Sequence, residues 1–246
     1  MQRNYNNEIK DNSERKYSYS FDTDIIQPFM VKSFEAFFKD GNALELGCYE
    51  GEFTRKFLKY FDSITCVDAS NEAIEIAKKK IKSSKVEFVH SMFEDAKLSI
   101  KYKNIFLTHV LEHVDDRVGL LKKINYEWID DDGVLFVACP NANAPSRQIA
   151  VKMGLLESNC SVTDAEYEHG HRITYSFDTL EMDIKKSGLK ILHKSGIFFK
   201  ALANFQWDAL LNTNIISEEY LQGCYELGQQ YPELCSSIYF VCGKGK

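Results

Sequence analysis

One stretch decides the fold of this chain: Ala43-Leu44-Glu45-Leu46-Gly47-Cys48-Tyr49-Glu50-Gly51-Glu52-Phe53. It contains a short apolar run with one carboxylate inside it, then two glycines, then the start of a helical pattern. Because glycine has no Cβ, a strand that ends in a glycine turn lets a ligand approach the backbone closely. The first N–H groups of the following helix lack partners within the helix and suit a polar ligand edge. The stretch therefore predicts a strand, a turn and a helix that bind a ligand.

A second acidic residue narrows the class of ligand. The apolar run Ile64-Thr65-Cys66-Val67 ends in Asp68. Nucleoside-binding α/β folds hold ribose hydroxyls with an acidic residue at the tip of the second strand, roughly twenty residues after the glycine turn. The glycines do not form the G-x-G-x-x-G of a dinucleotide fold, and no P-loop lysine follows them. The spacing therefore indicates a nucleoside cofactor rather than a dinucleotide or a nucleoside triphosphate.

Three later segments continue the alternation of strands and helices. Residues 86–91 predict a third strand, and residues 105–114 predict a fourth strand that continues into Leu-Glu-His-Val. Residues 130–141 predict an acidic turn with a glycine, followed by a fifth strand that ends in Pro-Asn. Strands that alternate with helical patterns of about 10 to 15 residues are typical of a parallel sheet.

Taken in order, the segments over residues 43–141 resemble the class I S-adenosylmethionine-dependent methyltransferases. Glu45-x-Gly47-x-x-x-Gly51 is similar to the first motif of that family, and the Leu-Glu-His-Val and Pro-Asn segments also match it. The resemblance implies an α/β fold with a Rossmann-like, seven-stranded, mostly parallel sheet and helices on both faces. It further implies an antiparallel last strand with a helical insert before it, and S-adenosylmethionine as the cofactor.

The resemblance also assigns the cofactor site. In the family the glycine loop holds the amino-acid end of the cofactor, and the acid after the second strand binds the ribose. This chain has Met92-Phe93 where the family often places an acidic residue, so we expect apolar contact with the adenine. The implied cofactor contacts are Glu45, Gly47, Cys48, Gly51, Asp68, Ala69, Met92, Phe93, Thr108 and His109.

Catalysis is expected to depend on histidine. Transfer to a hydroxyl requires a group that takes its proton, and histidine is the commonest choice near neutral pH. The candidates are His171 and His169, in the sequence His-Gly-His-Arg, and His109 at the end of the fourth strand. A metal site that combines His169 and His171 with Glu166 or Cys160 is an alternative, as is a loop whose histidines bind backbone. We expect no metal, because two histidines alone supply too few ligands.

The acceptor is expected to be anchored by polar residues after the fifth strand. Amide and guanidinium donors in this region suit a sugar, a phosphate or a carboxylate. The predicted acceptor-binding residues are Asn141, Asn143, Arg147, Arg172 and Tyr175.

These patterns favour a small-molecule O-methyltransferase. The motif of amino-group methyltransferases that act on bases is missing after strand four, and Cys139-Pro140 is not the arrangement of cytosine-C5 enzymes. Segments beyond residue 141 resemble a bacterial subgroup found in cell-surface polysaccharide or secondary-metabolite pathways, which implies a sugar or phosphorylated acceptor. The alternatives are an N-methyltransferase and a non-catalytic subunit that binds the cofactor. A nicotinamide-dependent oxidoreductase would need the tighter glycine triplet.

Composition argues against a nucleic-acid-binding protein and against a membrane-spanning one. The chain has 246 residues and a formal net charge of −6, and it lacks the basic footprint of nucleic-acid binding. It also lacks an apolar run of about eighteen residues, so we expect no membrane span. Its seven cysteines form no C-x-x-C pair, which favours reduced thiols in a cytoplasmic protein.

The chain is expected to form one domain. Residues 1–16 predict a flexible segment, and residues 17–246 a single methyltransferase domain with acceptor-pocket elements at about 142–175 and 196–235. The expected partners are a small-molecule acceptor and either a second copy of the chain or another methyltransferase.

Overall fold

A seven-stranded sheet forms the centre of the protein. The computed structural model describes residues 3–213 and 215–245. In chain order the strands are β1 (Asn42–Leu46), β2 (Ser63–Asp68), β3 (Val86–His90), β4 (Tyr102–Thr108), β5 (Ile129–Pro140), β6 (Lys190–Phe199) and β7 (Cys235–Gly243). Their order across the sheet is β3-β2-β1-β4-β5-β7-β6. The strands from β1 to β5 pair in parallel, whereas β7 runs antiparallel to both β5 and β6. The predicted Rossmann-like fold is confirmed.

Helices cover both faces of this sheet. They are α1 (Tyr5–Glu8), α2 (Gln27–Phe34), α3 (Glu52–Phe57), α4 (Asn71–Lys80), α5 (Arg117–Lys123), α6 (Pro145–Lys152), α7 (Asp164–Glu168), α8 (Phe177–Lys186), α9 (Asn204–Leu211) and α10 (Glu218–Gln230). A π-helical turn, Asp22–Ile26, leads into α2, and a 3₁₀ turn, Leu111–His113, follows β4. Helices α9 and α10 lie between β6 and β7, where the sequence predicts an insert. None of the helices in the described residues has the length and hydropathy that a membrane crossing requires.

Alternating side chains along the central strands supply two separate cores. On β4, Ile105 and Leu107 face a cluster that includes residues of α5 and α8. Phe106, between them, faces an aromatic cluster with residues of α2, α3, α9 and α10. Its ring stacks on Phe57 with a centroid separation of 4.0 Å and on Phe136 at 4.9 Å. The period of two in a strand thus explains how one run of apolar residues holds helices on both faces.

The fifth strand begins earlier than the sequence indicates. The acidic residues before Gly133, predicted to form a turn, belong to β5, which starts at Ile129. The pairing with β4 shifts here, because Tyr102 faces Ile129 but Asn104 already faces Val134. The extra residues therefore bulge out of the ladder. This bulge exposes charged side chains to water, which explains the turn-like composition.

The carboxyl ends of the parallel strands meet at one edge of the sheet. The loops after β1, β2 and β4 lie at this edge, and the antiparallel β7 begins at it. In open α/β sheets ligands bind outside the carboxyl ends of the strands. This edge is therefore where the fold predicts the functional site.

Candidate active site

A large cavity occupies this edge of the sheet. Its volume is about 720 Å³, and it extends from the glycine turn after β1 to the loops around α6, α7 and the end of β6. Most of the residues predicted to contact a cofactor line it: Glu45, Gly47, Cys48, Asp68, Ala69, Met92, Phe93, Thr108 and His109. The fold thus brings together, from four strand ends, residues that are far apart in the sequence.

The two glycines of the turn, Gly47 and Gly51, have different structural roles. Gly47 has a φ of +78°, and a Cβ built on it would lie 2.4 Å from Cγ2 of Val110. It also lines the cavity, so its lack of a side chain keeps the turn close to the ligand space. Gly51 is the N-cap residue of α3 and has a φ of +81°, but a Cβ there would meet Ile81 at 2.5 Å. Gly51 is not part of the cavity lining, so it permits the packing of α3 against the end of α4 rather than a cofactor contact.

Asp68 is held by backbone donors at the end of β2. Its Oδ2 accepts from the Tyr49 amide at 2.8 Å, and its Oδ1 accepts from the Ser70 amide at 2.8 Å. Burial raises the pKa of this carboxyl above its ordinary value. Each carboxylate oxygen has two acceptor positions, so one on each oxygen is left for a ligand hydroxyl. This arrangement suits the two neighbouring hydroxyls of a ribose.

Glu45 is buried in the middle of β1. The Thr54 hydroxyl of α3 donates to its Oε2 at 2.6 Å, and the Cys66 thiol lies 3.7 Å from the same oxygen. Burial raises the pKa of Glu45 to about 8, against the effect of the Thr54 hydrogen bond. This shift in pKa favours the protonated form of Glu45 when no ligand is present.

His109 lies where β4 ends. Its Nε2 is 2.9 Å from the Ser237 hydroxyl, across the sheet at the start of β7. Burial and the charge of Lys200 lower the pKa of His109 to about 4. The imidazole is therefore neutral at physiological pH. Thr108 lines the cavity beside it.

Backbone strain is concentrated around the cavity. In the described part of the chain the non-glycine residues with left-handed backbone are Tyr49 (φ 47°), His109 (φ 54°) and Phe198 (φ 63°). Such conformations cost about 1–3 kcal/mol each and persist only where the surrounding structure holds them. Tyr49 and His109 line the cavity, and Phe198 lies two residues before Lys200, which also lines it.

The histidines of His169-Gly170-His171 have separate environments. His169 is 2% exposed, and its Nε2 lies 3.0 Å from the Lys10 carbonyl. The ring of His171 meets that of His113 edge to face, with a centroid distance of 4.5 Å. Burial, with the charge of Arg15 second, lowers the pKa of His171 to about 3. Both line the cavity, as does His109, the third histidine predicted to be catalytic.

The alternative metal set is not brought together. The Glu166 carboxylate accepts from Arg147 at 2.9 Å and forms a capping box with Thr163 at the start of α7. Cys160 is exposed and free. Within the described residues, the grouping with metal-binding geometry is a different one: Glu112, His113 and His171.

Two of the predicted acceptor residues reach the cavity. Asn141 lines it, but its Nδ2 donates to the carbonyls of Glu233 and Cys235, both at 2.8 Å. These bonds fix the start of β7, so the side chain has a structural task. Arg147 also lines the cavity, with its guanidinium bound to Glu166.

The other three predicted acceptor residues lie outside the cavity lining. Tyr175 is fully buried and donates its hydroxyl to Asp183 at 2.9 Å. Arg172 pairs with Asp115 at 3.1 Å. The backbone carbonyl of Asn143, two residues before α6, accepts from the Gln148 side chain of that helix. Their positions do not support contact with an acceptor.

A buried lysine was missed by the sequence analysis. Lys200 follows β6, is 9% exposed and lines the cavity. Its Nζ donates to Asn204, whose Nδ2 donates to both oxygens of Asp22 at 2.8 and 2.9 Å. Burial lowers the pKa of Lys200 to about 8, although Asp22 opposes this. A single lysine after a strand has no signal in the sequence that distinguishes it from a surface lysine.

Replacing Lys200 by methionine should change how stability depends on pH. In the folded chain the pKa of Lys200 is about 8, below its ordinary value of 10.5. Between pH 8 and pH 10.5 the unfolded chain therefore keeps a proton on this lysine that the folded chain has released. The free energy of unfolding should therefore rise by about 3 kcal/mol as the pH increases from 8 to 10.5. Urea denaturation across this range should show the rise in the wild type and its loss in Lys200→Met. The exposed Lys190→Met variant should keep the wild-type profile, and an equal slope in all three would contradict the assignment.

The amino-terminal segment lies along the rim of the cavity. Arg3 donates to the His113 carbonyl at 2.6 Å, and the Asn12 amide donates to the Ala165 carbonyl at 3.0 Å. Tyr17 places its ring 5.1 Å from that of Tyr49. The predicted flexibility of residues 1–16 stays a prediction, since these contacts describe a position and not a motion; residues 1 and 2 lie outside the described residues.

Comparisons with known proteins agree with this geometry. The model of a family described as a methyltransferase domain matches residues 17–194. The ubiquinone biosynthesis O-methyltransferase of Pelagibacter ubique (strain HTCC1062) is 26% identical over 132 residues, which are 52% of this chain and 53% of that protein. The (S)-coclaurine N-methyltransferase of Papaver somniferum is 33% identical over 105 residues, 40% of this chain and 30% of that protein. The chain thus spans about half the length, or less, of these curated relatives.

A solved structure extends the comparison to most of the chain. It is the N-methyltransferase NodS from Bradyrhizobium japonicum WM9 in complex with S-adenosyl-L-homocysteine. The TM-score is 0.53 at 12% identity, covering 89% of this chain and 85% of that chain. Because the two sequences are only 12% identical, this similarity shows a shared fold and nothing about the substrate.

Proposed function

This chain belongs to the class I S-adenosylmethionine-dependent methyltransferases, and on that premise we propose that it methylates an oxygen of a small polar acceptor. The observation that carries the proposal is one continuous cavity with two unlike halves. One half contains the glycine turn and Asp68. The other contains His171 and Lys200. When bound, S-adenosylmethionine supplies a methyl group activated by its sulfonium.

The first half of the cavity suits the cofactor. Gly47 leaves the backbone of the turn open to the amino-acid end of the cofactor, and the free acceptor positions of Asp68 suit the ribose. Met92 and Phe93 offer apolar surface for the adenine. We propose that Glu45 takes part through its charge, because a cationic ammonium nearby would favour its ionised form.

The second half suits an anionic or strongly polar acceptor. Lys200 is buried there, and the Asp22 oxygens accept hydrogen bonds from Asn204 rather than from Lys200. A phosphate or carboxylate would supply the opposite charge at short range. We therefore propose a sugar or phosphorylated metabolite. We expect it to belong to a cell-surface polysaccharide pathway, because the later segments of the chain resemble that subgroup.

Histidine is proposed to act on the acceptor hydroxyl. Of the three histidines predicted to be catalytic, His109 is engaged by Ser237 and His169 by the Lys10 carbonyl. Within the described residues, the side chain of His171 has no such hydrogen-bond partner, so it is the first candidate to meet the acceptor. His169 and His109 stay candidates beside it.

Methylation of a nitrogen is the second candidate function. The coclaurine N-methyltransferase relative supports it, because its identity over the shared region is 33%. A neutral amine needs no strong base, so the histidines would matter little to turnover. A non-catalytic subunit would bind the cofactor without turnover on any acceptor.

The test is a methyl-transfer assay with a trideuteromethyl cofactor and paired acceptors. Each pair contains a hydroxylated sugar, sugar phosphate or hydroxy acid and its amino analogue. We expect a mass increase on hydroxyl members of the panel and not on their amino analogues. Transfer only to the amino analogues would replace the oxygen proposal by the nitrogen one.

The variant His169→Ala/His171→Ala separates the roles further. Turnover should fall by about 100-fold or more, since positioned acid–base groups contribute about 10²–10⁴-fold. Binding of S-adenosylhomocysteine should persist, because neither residue belongs to the cofactor half. His193→Gln, a histidine of β6 that contacts Tyr239 outside the cavity lining, is the matched control. Near-complete activity in the double variant would refute the histidine role.

A further inference from the structure

Three potential ligand side chains converge on the cavity wall. Glu112, His113 and His171 place one carboxylate oxygen and two imidazole nitrogens within 4.8 Å of one another. We call these residues the Glu–His–His cluster. All three line the cavity, so a position beside them is open to a further ligand.

One oxygen of the carboxyl in the cluster lacks a hydrogen-bond partner. Glu112 is 1% exposed, and its Oε2 is buried with no hydrogen-bond partner among the described residues. An unsatisfied buried polar atom costs about 1–3 kcal/mol, and more when it is charged. Native folds rarely tolerate this without a ligand, a water or an ion at the atom.

The backbone fixes the two segments of the cluster against each other. Glu112 and His113 lie on the 3₁₀ turn after β4, and His171 follows α7 in a separate loop. The Arg172 amide donates to the Glu112 carbonyl at 2.8 Å, which joins the two segments. Gly170 has a φ of +89°, and a Cβ there would meet Glu8 at 2.4 Å, Arg3 at 2.9 Å and Nδ1 of His113 at 3.1 Å. The close approach of the two imidazoles is therefore built into the chain.

The positive charge of Arg3, which lies beside His113 of the cluster, is paired with carboxylates. The Arg3 guanidinium donates to the His113 carbonyl at 2.6 Å. The same guanidinium is paired with Glu8 at 2.7 Å and with Asp115 at 3.3 Å. This pairing reduces its repulsion of a cation bound nearby.

We propose that Glu112, His113 and His171 bind a divalent transition-metal ion, with Zn²⁺ as the first candidate. Three protein ligands of the type two imidazoles and one carboxylate, with an open position towards a cavity, are the donor set of catalytic zinc sites. Nitrogen donors disfavour Mg²⁺, which prefers oxygen. If the proposed O-methylation is correct, on which this role rests, the ion would bind the acceptor oxygen and make its proton easier to lose. His171 would then act as a ligand of the ion, which leaves His169 and His109 as the candidates for the base.

The test is calorimetric titration of the chelator-treated, reduced full chain with ZnCl₂ and, separately, MgCl₂. We expect one Zn²⁺ per chain and at least tenfold weaker Mg²⁺ binding. Loss of an outer-shell partner already weakens metal affinity by about 10- to 100-fold. Removing a ligand in His171→Ala should therefore weaken Zn²⁺ binding at least 100-fold, and the near-isosteric Glu112→Gln should weaken it at least tenfold. His193→Gln should bind like the wild type.

Two readouts keep the result unambiguous. Co²⁺ spectra distinguish this cluster from the free cysteines, because nitrogen and oxygen ligands give no thiolate charge-transfer band. S-adenosylhomocysteine binding, measured on the same samples, reports the fold and the cofactor half. Cofactor binding without Zn²⁺ binding, or Zn²⁺ binding equal in His171→Ala and the wild type, would overturn the metal site alone. Zn²⁺ binding as expected without cofactor binding would overturn the proposed function and leave the metal site.

Discussion

Replacing Asp68 by alanine should weaken the binding of S-adenosylhomocysteine by roughly 100-fold. Hydrogen bonds to a charged group contribute about 1.5–3 kcal/mol each, so losing both ribose contacts removes about 3 kcal/mol or more. The variant also releases the Tyr49 and Ser70 amides, which Asp68 binds at 2.8 Å. The glycine turn would lose its connection to the end of β2. Calorimetric titration measures the change directly.

A matched control separates this effect from general loss of charge. Asp62 is an exposed carboxylate in the loop before β2, and Asp62→Ala should bind the ligand as the wild type does. Asp68→Asn keeps the size of the side chain but offers one acceptor oxygen in place of two. Its affinity for the ligand should therefore lie between that of the wild type and that of Asp68→Ala. If Asp68→Ala binds within threefold of the wild type, the ribose contact is wrong.

Gly47→Ala should destabilise the protein by about 3 kcal/mol and abolish measurable cofactor binding. A left-handed backbone costs an alanine about 1–2 kcal/mol, and forcing a methyl group into a packed site costs a further 1–3 kcal/mol. The added Cβ would lie 2.4 Å from Val110, so the turn must move. Movement of this turn displaces the backbone from the ligand space. Urea denaturation and calorimetry measure the two consequences.

Two other glycines make the comparison quantitative. Gly154 has a φ of +75°, but a Cβ there meets nothing within 4 Å, so Gly154→Ala carries the backbone cost alone. Gly223 lies within α10 with open space around it, and Gly223→Ala should stabilise the helix by about 0.5–1 kcal/mol. A loss at Gly47 no larger than that at Gly154 would show that contact with Val110 is unimportant.

The sequence predicted the sheet better than the irregular segments. Strand periodicity and glycine turns depend on local sequence, so β1 to β4 were located closely. The acidic residues 130–132 and the glycine after them have the composition of a turn, yet the ladder continues past them as a bulge. Local composition cannot distinguish a bulge from a turn when both expose charge to water.

The cofactor half was also more predictable than the acceptor half. Gly47 and Asp68 lie in short patterns tied to the strand ends. In contrast, the environment of Lys200 depends on Asp22, which is far away in the chain. Tyr175 donates its hydroxyl to Asp183 and does not line the cavity. The Glu–His–His cluster likewise depends on the contact between two distant segments. Such contacts form only in the tertiary structure, so no regular spacing of residues in the sequence predicts them.

The left-handed residues around the cavity limit how this protein can gain heat resistance. A glycine at position 49 or 109 would relax the backbone, since both residues have a positive φ. The same change would remove a ring or an imidazole from the cavity wall. Variants selected only for a higher melting temperature should therefore collect changes at these positions and lose turnover. Changes on helices such as α10, which contributes no residue to the cavity lining among the described residues, would raise the melting temperature without that loss.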